Sequence, residues 1–452
     1  MNPITVKEIV LATGGTLLWG NEETSVSSVC TDNRRVTPDS LFIPLIGERF
    51  DAHNFIESAL SAGASVTLTA KADKVQSSWG KAAILVDDTR HALGAVSAYY
   101  RKKFSLPLVA ITGSVGKTTV KELTYAALST EKNTLKTDGN FNNEIGLPLT
   151  LFRLEDHHEA AIIEMGMSGF GEIDALASMA TPNIGILTNI GMSHIEKLGS
   201  QENIYKAKSE LFAHIKEGGI VIINGDDPIL AAHKNEIKHK VISCGTSPKH
   251  DLYAENITST PNGVTFTAVW KGEKTTINLR FPGEHNVVNA LLACAAAVCL
   301  GISMETVAKG LSAYAPDNQR MQLIDADGIT IINDCYNAAP ASVSAAIRVL
   351  CARQGRKIAV LGDIKELGEF SESAHRAIGK EAAESGIDAV FAFGENAKWI
   401  AESAGSIARH YDDIDALNTD LSAFIKAGDT ILVKASRAMK LERVTNFLLN
   451  RK

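Results

Sequence analysis

The chain has 452 residues, of which 45% are hydrophobic and 21% are charged, and its formal net charge at pH 7 is -7. This composition is ordinary for a globular protein, and the length predicts about three domains rather than one compact core. The acidic balance and the lack of a long basic run argue against nucleic acid as the main partner.

The start of the chain does not have the pattern of a signal peptide. Lys7 and Glu8 stand where such a peptide needs an apolar stretch. The most apolar segment, residues 291–302, is also shorter than the roughly 20 residues of a membrane helix. The cysteines form no CxxC pair and no metal-ligand spacing, which favours reduced thiols. We therefore expect a cytoplasmic protein without membrane insertion.

The first predicted domain covers residues 1–86. It mixes strand-like runs at residues 40–45 and 82–86 with a helical run at residues 55–62. A second helical run, residues 89–103, leads to Pro107 and opens the next domain.

The second predicted domain covers residues 87–314. Apolar strand-like runs alternate with helical runs, which is typical of a parallel sheet flanked by helices. The runs are residues 108–111, 160–163, 184–188 and 220–223, followed by a strand-rich patch at 252–281 and an alanine-rich helix at 287–300.

The third predicted domain covers residues 315–452 and begins at a linker, residues 315–318. Its alternating pattern predicts a second doubly wound unit. The strand-like runs are residues 330–333, 358–361, 389–393 and 430–433. The predicted fold class is therefore α/β in three domains.

A phosphate-binding loop is the most informative segment of the chain. An apolar strand precedes it, and a helical run, residues 120–128, follows it. Its backbone N–H groups and the helix N-terminus favour an anion, Lys117 suits the outer phosphates, and the Thr118 hydroxyl suits Mg²⁺. Ile111 stands where the strict GxxxxGK[ST] pattern has its first glycine. The predicted nucleotide-binding residues are Gly113, Ser114, Val115, Gly116, Lys117, Thr118 and Thr119.

Polar side chains follow the next strands of the predicted central sheet. Glu164 ends one strand and His194 follows another, and ligands in open α/β sheets bind at the carboxyl ends of strands. A carboxylate there suits Mg²⁺, which prefers oxygen ligands. The loop at residues 138–148 is rich in amides that both donate and accept hydrogen bonds. Its candidate substrate contacts are Asn140, Asn142 and Asn143.

These segments resemble the motifs of the Mur ligase superfamily, which also contains folylpolyglutamate and cyanophycin synthetases. The resemblance runs over essentially the whole chain. It rests on TGSxGKT at residues 112–118, GxHNxxNA at 283–290, DDSYNANPxS at 333–342, DMxELG at 363–368 and VKGSR at 433–437. It implies an N-terminal UDP-substrate α/β domain, a central P-loop ATPase-like sheet and a C-terminal Rossmann-like domain.

Within the superfamily, the chain resembles the branch that adds D-alanyl-D-alanine to UDP-MurNAc-tripeptide in cytoplasmic peptidoglycan precursor synthesis. The implied reaction uses ATP and Mg²⁺, passes through an acyl phosphate and releases ADP and phosphate. We expect a monomer. The identity of the third peptide residue, diaminopimelate or lysine, stays open.

The resemblance also implies roles for individual residues. Lys117 and Arg320 would contact the reacting phosphate, and Thr118, Glu164 and His194 would hold Mg²⁺. Lys208, in a helix motif at residues 206–212, would be a carbamate that also binds metal, and the alternative is that it stays cationic and contacts phosphate directly. Asn289 would contact adenine and Asp334 the nucleotide, with Tyr336 and Asn337 meeting nucleotide and dipeptide. The UDP-sugar would meet Thr31, Asp32, Asn33, Arg34, Gly47, Glu48, Arg49 and Phe50.

Several positions depart from the family pattern. Gln319 replaces the glycine before Arg320, and Ala435 replaces the glycine of VKGSR. If that glycine needs a positive φ, Ala435 is strained. Asn286, near the start of a helix, suits a capping residue. The remaining departures are Asn333, Cys335, Ala339 and Ile364.

Three other functions would share part of this pattern. A sister ligase that adds the diamino acid usually carries DNPR, which this chain lacks. Folylpolyglutamate synthetase lacks the first-domain motifs TDxR and GxRxDxH, which this chain has at residues 31–34 and 47–53. A nucleotide-switched binding protein would hydrolyse ATP without ligation, and phosphate release that depends on both peptide substrates would exclude it.

Overall fold

The first sheet belongs to the N-terminal part of the chain in the computed structural model, which describes residues 1–316 and 319–451. Its strands lie in the order β2-β7-β6-β5-β4, with β2 antiparallel to β7 and the others parallel. A separate pair, β1 and β3, is antiparallel. The strands are β1 Ile4–Thr5, β2 Thr16–Trp19, β3 Ser25–Val26, β4 Ser28–Cys30, β5 Ser40–Phe42, β6 Val66–Thr69 and β7 Ala82–Leu85, and the helices are α1 Val6–Thr13, α2 Ile56–Ser61 and α3 Thr89–Lys102.

The central sheet has the order β16-β15-β14-β13-β12-β11-β8-β10-β9, parallel from β9 to β14 and antiparallel from β14 to β16. Its strands are β8 Leu108–Thr112, β9 Thr134–Lys136, β10 Ala160–Glu164, β11 Ile184–Leu187, β12 Ile220–Asn224, β13 Lys240–Gly245, β14 Leu252–Thr260, β15 Gly263–Trp270 and β16 Glu273–Leu279. Its helices are α4 Lys117–Leu128, α5 Gly146–Leu151, α6 Glu172–Ala180, α7 Ile195–Leu198, α8 Gln201–Ser209, α9 Pro228–His233, α10 His285–Cys299 and α11 Met304–Ala313.

The third sheet has the order β17-β18-β22-β19-β20-β21, in which β17 is antiparallel to β18 and the others are parallel. Its strands are β17 Gln322–Ala326, β18 Ile329–Asn333, β19 Lys357–Gly362, β20 Ala389–Phe393, β21 Ala408–Tyr411 and β22 Thr430–Lys434. Its helices are α12 Pro340–Cys351, α13 Ser371–Glu384, α14 Lys398–Ala404, α15 Ile414–Phe424 and α16 Glu442–Leu449.

The core explains the apolar strand pattern. Every residue of β8 and β10 is buried, as expected for parallel strands that carry helices on both faces. One apolar cluster joins the central sheet to α4, α10 and α11. This rigid layer fixes the carboxyl ends of β8, β10 and β11, where the candidate site lies.

The predicted α/β fold in three domains is confirmed, whereas the boundaries of some elements differ from the prediction. Helix α4 begins at Lys117 rather than at residue 120, because Gly116, at φ 83°, leads the chain directly into the helix. Strand β5 ends at Phe42 because Pro44 cannot donate a ladder hydrogen bond.

The domain boundaries after residues 86 and 314 stay predictions. Residues 317 and 318 of the predicted linker, and the last residue of the third domain, lie outside the described residues. Across the two described ranges, every helix is too short or too polar to cross a lipid bilayer.

Candidate active site

The phosphate loop connects β8 to α4 and requires its glycines. A Cβ on Gly113, at φ 149°, would lie 1.9 Å from Thr188 Oγ1. Lys117 Nζ folds back over the loop and donates to the carbonyls of Gly113, at 2.7 Å, and Ser114, at 3.3 Å. Burial lowers the pKa of Lys117; the charge of Glu164 opposes this shift and that of Arg320 adds to it.

The end of β11 holds the phosphate loop in place. Asn189 accepts hydrogen bonds from Ser114 N through its carbonyl and from Val115 N through Oδ1, both at 3.0 Å. Thr188 Oγ1 donates to the Val115 carbonyl at 2.6 Å. The loop is therefore fixed before any ligand binds, as a preorganised anion site requires.

Glu164 is the buried carboxylate of the site. It ends β10, is 2% exposed, and accepts one hydrogen bond on each carboxylate oxygen, both at 2.8 Å, from Thr118 Oγ1 and Asn142 Nδ2. This carboxylate, hydroxyl and amide set beside the phosphate loop suits Mg²⁺, which prefers oxygen ligands. The residues present therefore fit the implied metal.

A buried cation lies behind Glu164, which the sequence did not point out. Lys121 is 1% exposed, donates to the Thr137 carbonyl at 2.8 Å, and lies 3.1 Å from Glu122 Oε1 and 3.8 Å from Glu164 Oε2. Its spacing of four from Lys117 was the available signal, because residues four apart share a helix face.

His194 contacts the third domain. It adopts φ 64° at the start of α7, and its Nδ1 lies 2.5 Å from Glu366 Oε2. The interaction with His194 lowers the pKa of Glu366. Among the described residues, Nε2 of His194 has no hydrogen-bond partner, so it remains available to the cleft that the ring lines.

Lys208 is buried in α8 at 1% exposure, and in the described part of the chain its ammonium has no hydrogen bond or ion pair. Burial, and then the nearby Lys117, hold the pKa of Lys208 well below its ordinary value. It does not line the cleft itself.

Residues of the third domain form the opposite wall. Arg320 Cζ lies 3.9 Å from the ring centroid of Tyr336. Lys434 Nζ and Asp334 Oδ2 form a buried ion pair at 2.5 Å, and Asp334 Oδ1 accepts from Met321 N at 3.1 Å. This network fixes the backbone beside Arg320.

The two walls enclose a cleft of about 920 Å³. It brings together most of the predicted nucleotide, metal and catalytic residues and part of the predicted substrate set. Those that line it are Ser114, Val115, Gly116, Lys117, Thr118, Thr119, Asn140, Asn142, Asn143, Glu164, His194, Asn289, Arg320, Asp334, Tyr336 and Asn337. Lining residues that the sequence did not select include Glu122, Lys136, Glu172, Asp227, Tyr314 and Arg348. The motif at residues 433–437, to which the sequence assigned no role, contributes Lys434 and Arg437.

The predicted residues of the first domain do not line this cleft. Arg34 donates to both carboxylate oxygens of Asp32 and lowers the pKa of Asp32 to about 2. Phe50 is 59% exposed. The predicted residues absent from the lining are Gly113, Lys208, Thr31, Asp32, Asn33, Arg34, Gly47, Glu48, Arg49 and Phe50.

Arg90 links this domain to the cleft. Its Nη2 donates to the Ile46 carbonyl at 3.1 Å, and its Nη1 lies 2.5 Å from Glu144 Oε1. Ile46 precedes the loop at residues 47–50, and Glu144 follows Asn143 within the amide-rich loop at residues 138–148. Arg90 thus ties the exposed first-domain loop to the amide-rich loop that borders the cleft.

At two positions, Ala435 and Asn286, the structure differs from what the sequence suggested. Ala435 is not among the described residues with positive φ, so alanine there adds no strain of that kind. Asn286 is the second residue of α10 rather than its cap, because Glu284 holds the capping position. Its side chain instead donates to the Pro282 carbonyl at 2.9 Å.

Comparison with known proteins gives matches along most of the chain. Residues 25–101, 111–297 and 319–437 match family models described as "Mur ligase family, catalytic domain", "Mur ligase middle domain" and "Mur ligase, glutamate ligase domain". The UDP-N-acetylmuramoyl-tripeptide–D-alanyl-D-alanine ligase of Bacillus subtilis is 40% identical over 98% of both chains.

Two solved structures extend the match to three dimensions. A crystal structure of MurF from Acinetobacter baumannii superposes with a TM-score of 0.95 at 32% identity over 100% of both chains. MurF ligase from Thermotoga maritima, in complex with ADP, gives a TM-score of 0.84 at 28% identity, covering 93% of this chain and 96% of that one. The chain therefore belongs to the Mur ligase family.

Proposed function

We propose that this chain is an ATP-dependent ligase that joins D-alanyl-D-alanine to the terminal carboxylate of UDP-MurNAc-tripeptide through an acyl phosphate. The observation that carries the proposal is the composition of one cleft. Lys117 and the buried Glu164 lie on one wall, and Arg320 lies on the other, close enough to affect the pKa of Lys117. The relatives from Bacillus subtilis and Acinetobacter baumannii carry the matching ligase names over nearly their full lengths.

The first chemical step makes the carboxylate reactive. A carboxylate oxygen attacks the γ-phosphorus of ATP, the bond to the bridging oxygen breaks, and ADP leaves. Lys117 and Arg320 would balance the charge on the transferring group from opposite walls, and the N–H groups of the phosphate loop would orient it. Thr118, Glu164 and His194 would hold Mg²⁺, which when bound supplies positive charge beside the phosphates.

The second step forms the peptide bond. The amine of D-alanyl-D-alanine attacks the acyl carbon, and phosphate leaves with the oxygen that came from the carboxylate. Tyr336 and Asn337 lie on the third-domain wall and would meet the dipeptide as well as the nucleotide. The UDP end would extend to residues 31–34 and 47–50 of the first domain.

Lys208 works, in this proposal, as a carbamate. Its pKa is held well below the ordinary value, so the amine can lose its proton and react with CO₂. Carbamylation of the neutral amine gives this side chain a negative charge, which the nearby Lys117 attracts, whereas protonated Lys208 would be repelled.

An isotope experiment tests the reaction. UDP-MurNAc-tripeptide labelled with ¹⁸O in its terminal carboxylate is incubated with ATP and D-alanyl-D-alanine, and the released phosphate is analysed by mass spectrometry. Transfer of one ¹⁸O into phosphate is expected, because the acyl phosphate keeps that oxygen. Reactions lacking each peptide substrate, and a Lys117→Ala variant, serve as controls.

The alternative outcome is equally clear. Phosphate release without ¹⁸O, at a rate independent of both peptide substrates, would identify a nucleotide-hydrolysing switch and refute the ligase.

A cytoplasmic location and a monomeric state complete the proposal. The location agrees with the cysteines, all six of which lie in the described residues and are free.

A further inference from the structure

We propose that Asn286 is a positioning residue that sets the base selectivity of the nucleotide site by fixing the amide orientation of Asn289. The inference rests on the proposed function in taking the cleft as the nucleotide site, with Asn289 as the residue that meets the base. Asn286 and Asn289 lie one turn apart on α10, are 3% and 8% exposed, and border the cleft. Asn289 Oδ1 lies 2.9 Å from the position that a Cβ of the phosphate-loop residue Gly116 would occupy.

The orientation follows from a backbone carbonyl. Pro282 O can only accept, so the Asn286 side-chain atom 2.9 Å away must be the Nδ2 donor. Asn286 therefore directs Oδ1 towards Asn289, and that oxygen also can only accept. The Asn289 atom 3.1 Å from it is consequently Nδ2.

We call these two hydrogen bonds, from Asn286 to the Pro282 carbonyl and from Asn289 to Asn286, the relay. The relay leaves Asn289 Oδ1 as the group that faces the cleft. Within the described ranges, this oxygen accepts no hydrogen bond from the protein, although the residue is more than nine-tenths buried. An acceptor in this position suits a purine with an exocyclic amine at C6, such as adenine. A 6-oxopurine, such as hypoxanthine or guanine, would place its own acceptor against Oδ1.

Direct nucleotide binding tests the relay without depending on ligation. The affinities of the full chain for ADP and IDP are measured by titration calorimetry with saturating Mg²⁺. The two nucleotides differ at C6 and in the proton at N1. We expect wild type to bind ADP at least about tenfold more tightly, because a buried acceptor left facing another acceptor costs about that factor or more.

Asn286→Leu keeps the size of the side chain but removes both relay contacts. The amide of Asn289 is then free to present either end, so the ADP preference should fall to within about threefold. Asn286→Ala should behave alike, and thermal unfolding identifies any variant that fails to fold. A second change, Asn289→Asp, should restore the preference in either background, since a carboxylate offers an acceptor in both orientations.

The outcomes separate the relay from the reaction. An unchanged ADP preference in folded Asn286→Leu and Asn286→Ala, or no restoration by Asn289→Asp, would overturn the relay. So would a wild type that binds ADP and IDP equally. Failure of the ¹⁸O experiment with the ADP preference intact would refute the ligase and leave the relay standing, whereas no ADP binding would refute both. Asn278→Leu, at an exposed position of β16, is the control and should keep the preference.

Discussion

Removing the ammonium of Lys434 should destabilise the third domain, because it leaves the carboxylate of Asp334 buried without its partner. The two side chains are 3% and 12% exposed, and Lys434 Nζ also donates to the carbonyls of Asp334 and Asn337. Loss of one member of a buried pair typically costs about 3–5 kcal/mol. We expect Lys434→Met to lower the free energy of unfolding by that amount.

A second substitution separates the charge from the packing. Asp334→Asn removes the unpaired charge and keeps an acceptor for Met321 N, so the double variant Asp334→Asn/Lys434→Met should recover roughly 2 kcal/mol relative to Lys434→Met alone. Lys380→Met is the matched control. It breaks a pair with Glu384 whose side chains are 72% and 67% exposed, and should change stability by less than about 0.5 kcal/mol.

Tryptophan fluorescence during urea unfolding provides the measurement. The chain has four tryptophans, and Trp399 on α14 belongs to the third sheet's layer. Changing the others, Trp19, Trp79 and Trp270, to phenylalanine isolates the transition of that domain, as a chain of several domains requires. An equal loss of unfolding free energy in Lys434→Met and in the double variant would show that the two side chains are not energetically coupled. That result would refute the reasoning.

Three further predictions concern the cleft and the residues next to it. Lys117→Ala should lower the ligation rate by about 10²–10³ with an unchanged circular dichroism spectrum, and wild-type turnover would remove Lys117 from the reacting site. Lys208→Ala should be nearly inactive and be partly rescued by acetate or propionate; rescue by alkylamines instead would show that the working form is cationic. Glu366→Ala removes the 2.5 Å contact with His194 and should increase the radius of gyration of the ligand-free protein in small-angle scattering. An unchanged radius would show that this contact does not hold the third domain in place.

The sequence predicted what depends on neighbours along the chain. The strand, glycine loop and helix around Lys117 form one local unit, and burial on both faces makes its strand apolar throughout. Glu164 was predicted because it stands at the carboxyl end of such a strand. Local pattern therefore sufficed for the fold class, the phosphate loop and Glu164, but not for Lys121, which lies behind them.

Contacts between residues far apart in the chain could not be predicted from local sequence pattern. Arg90 joins residues 44 positions before it and 54 positions after it, and His194 meets a carboxylate of another domain. No regular spacing in the sequence relates Arg90 or His194 to the residues that they contact. Such pairs depend on how the domains pack, which composition and spacing do not specify.

Gln319 shows why a departure from a family pattern needs the structure for its interpretation. Gln319, where the family has glycine, adopts φ 62°, and Met321 adopts φ 51°, so left-handed residues flank Arg320. Each costs roughly 1–2 kcal/mol relative to glycine. The cost is offset locally: Gln319 O accepts from Tyr336 N at 3.2 Å, and Gln319 Oε1 accepts from Arg437 at 3.2 Å. A glycine would lack the second bond, so glutamine here has a more strained backbone than glycine but gains a side-chain contact with Arg437 beside Arg320.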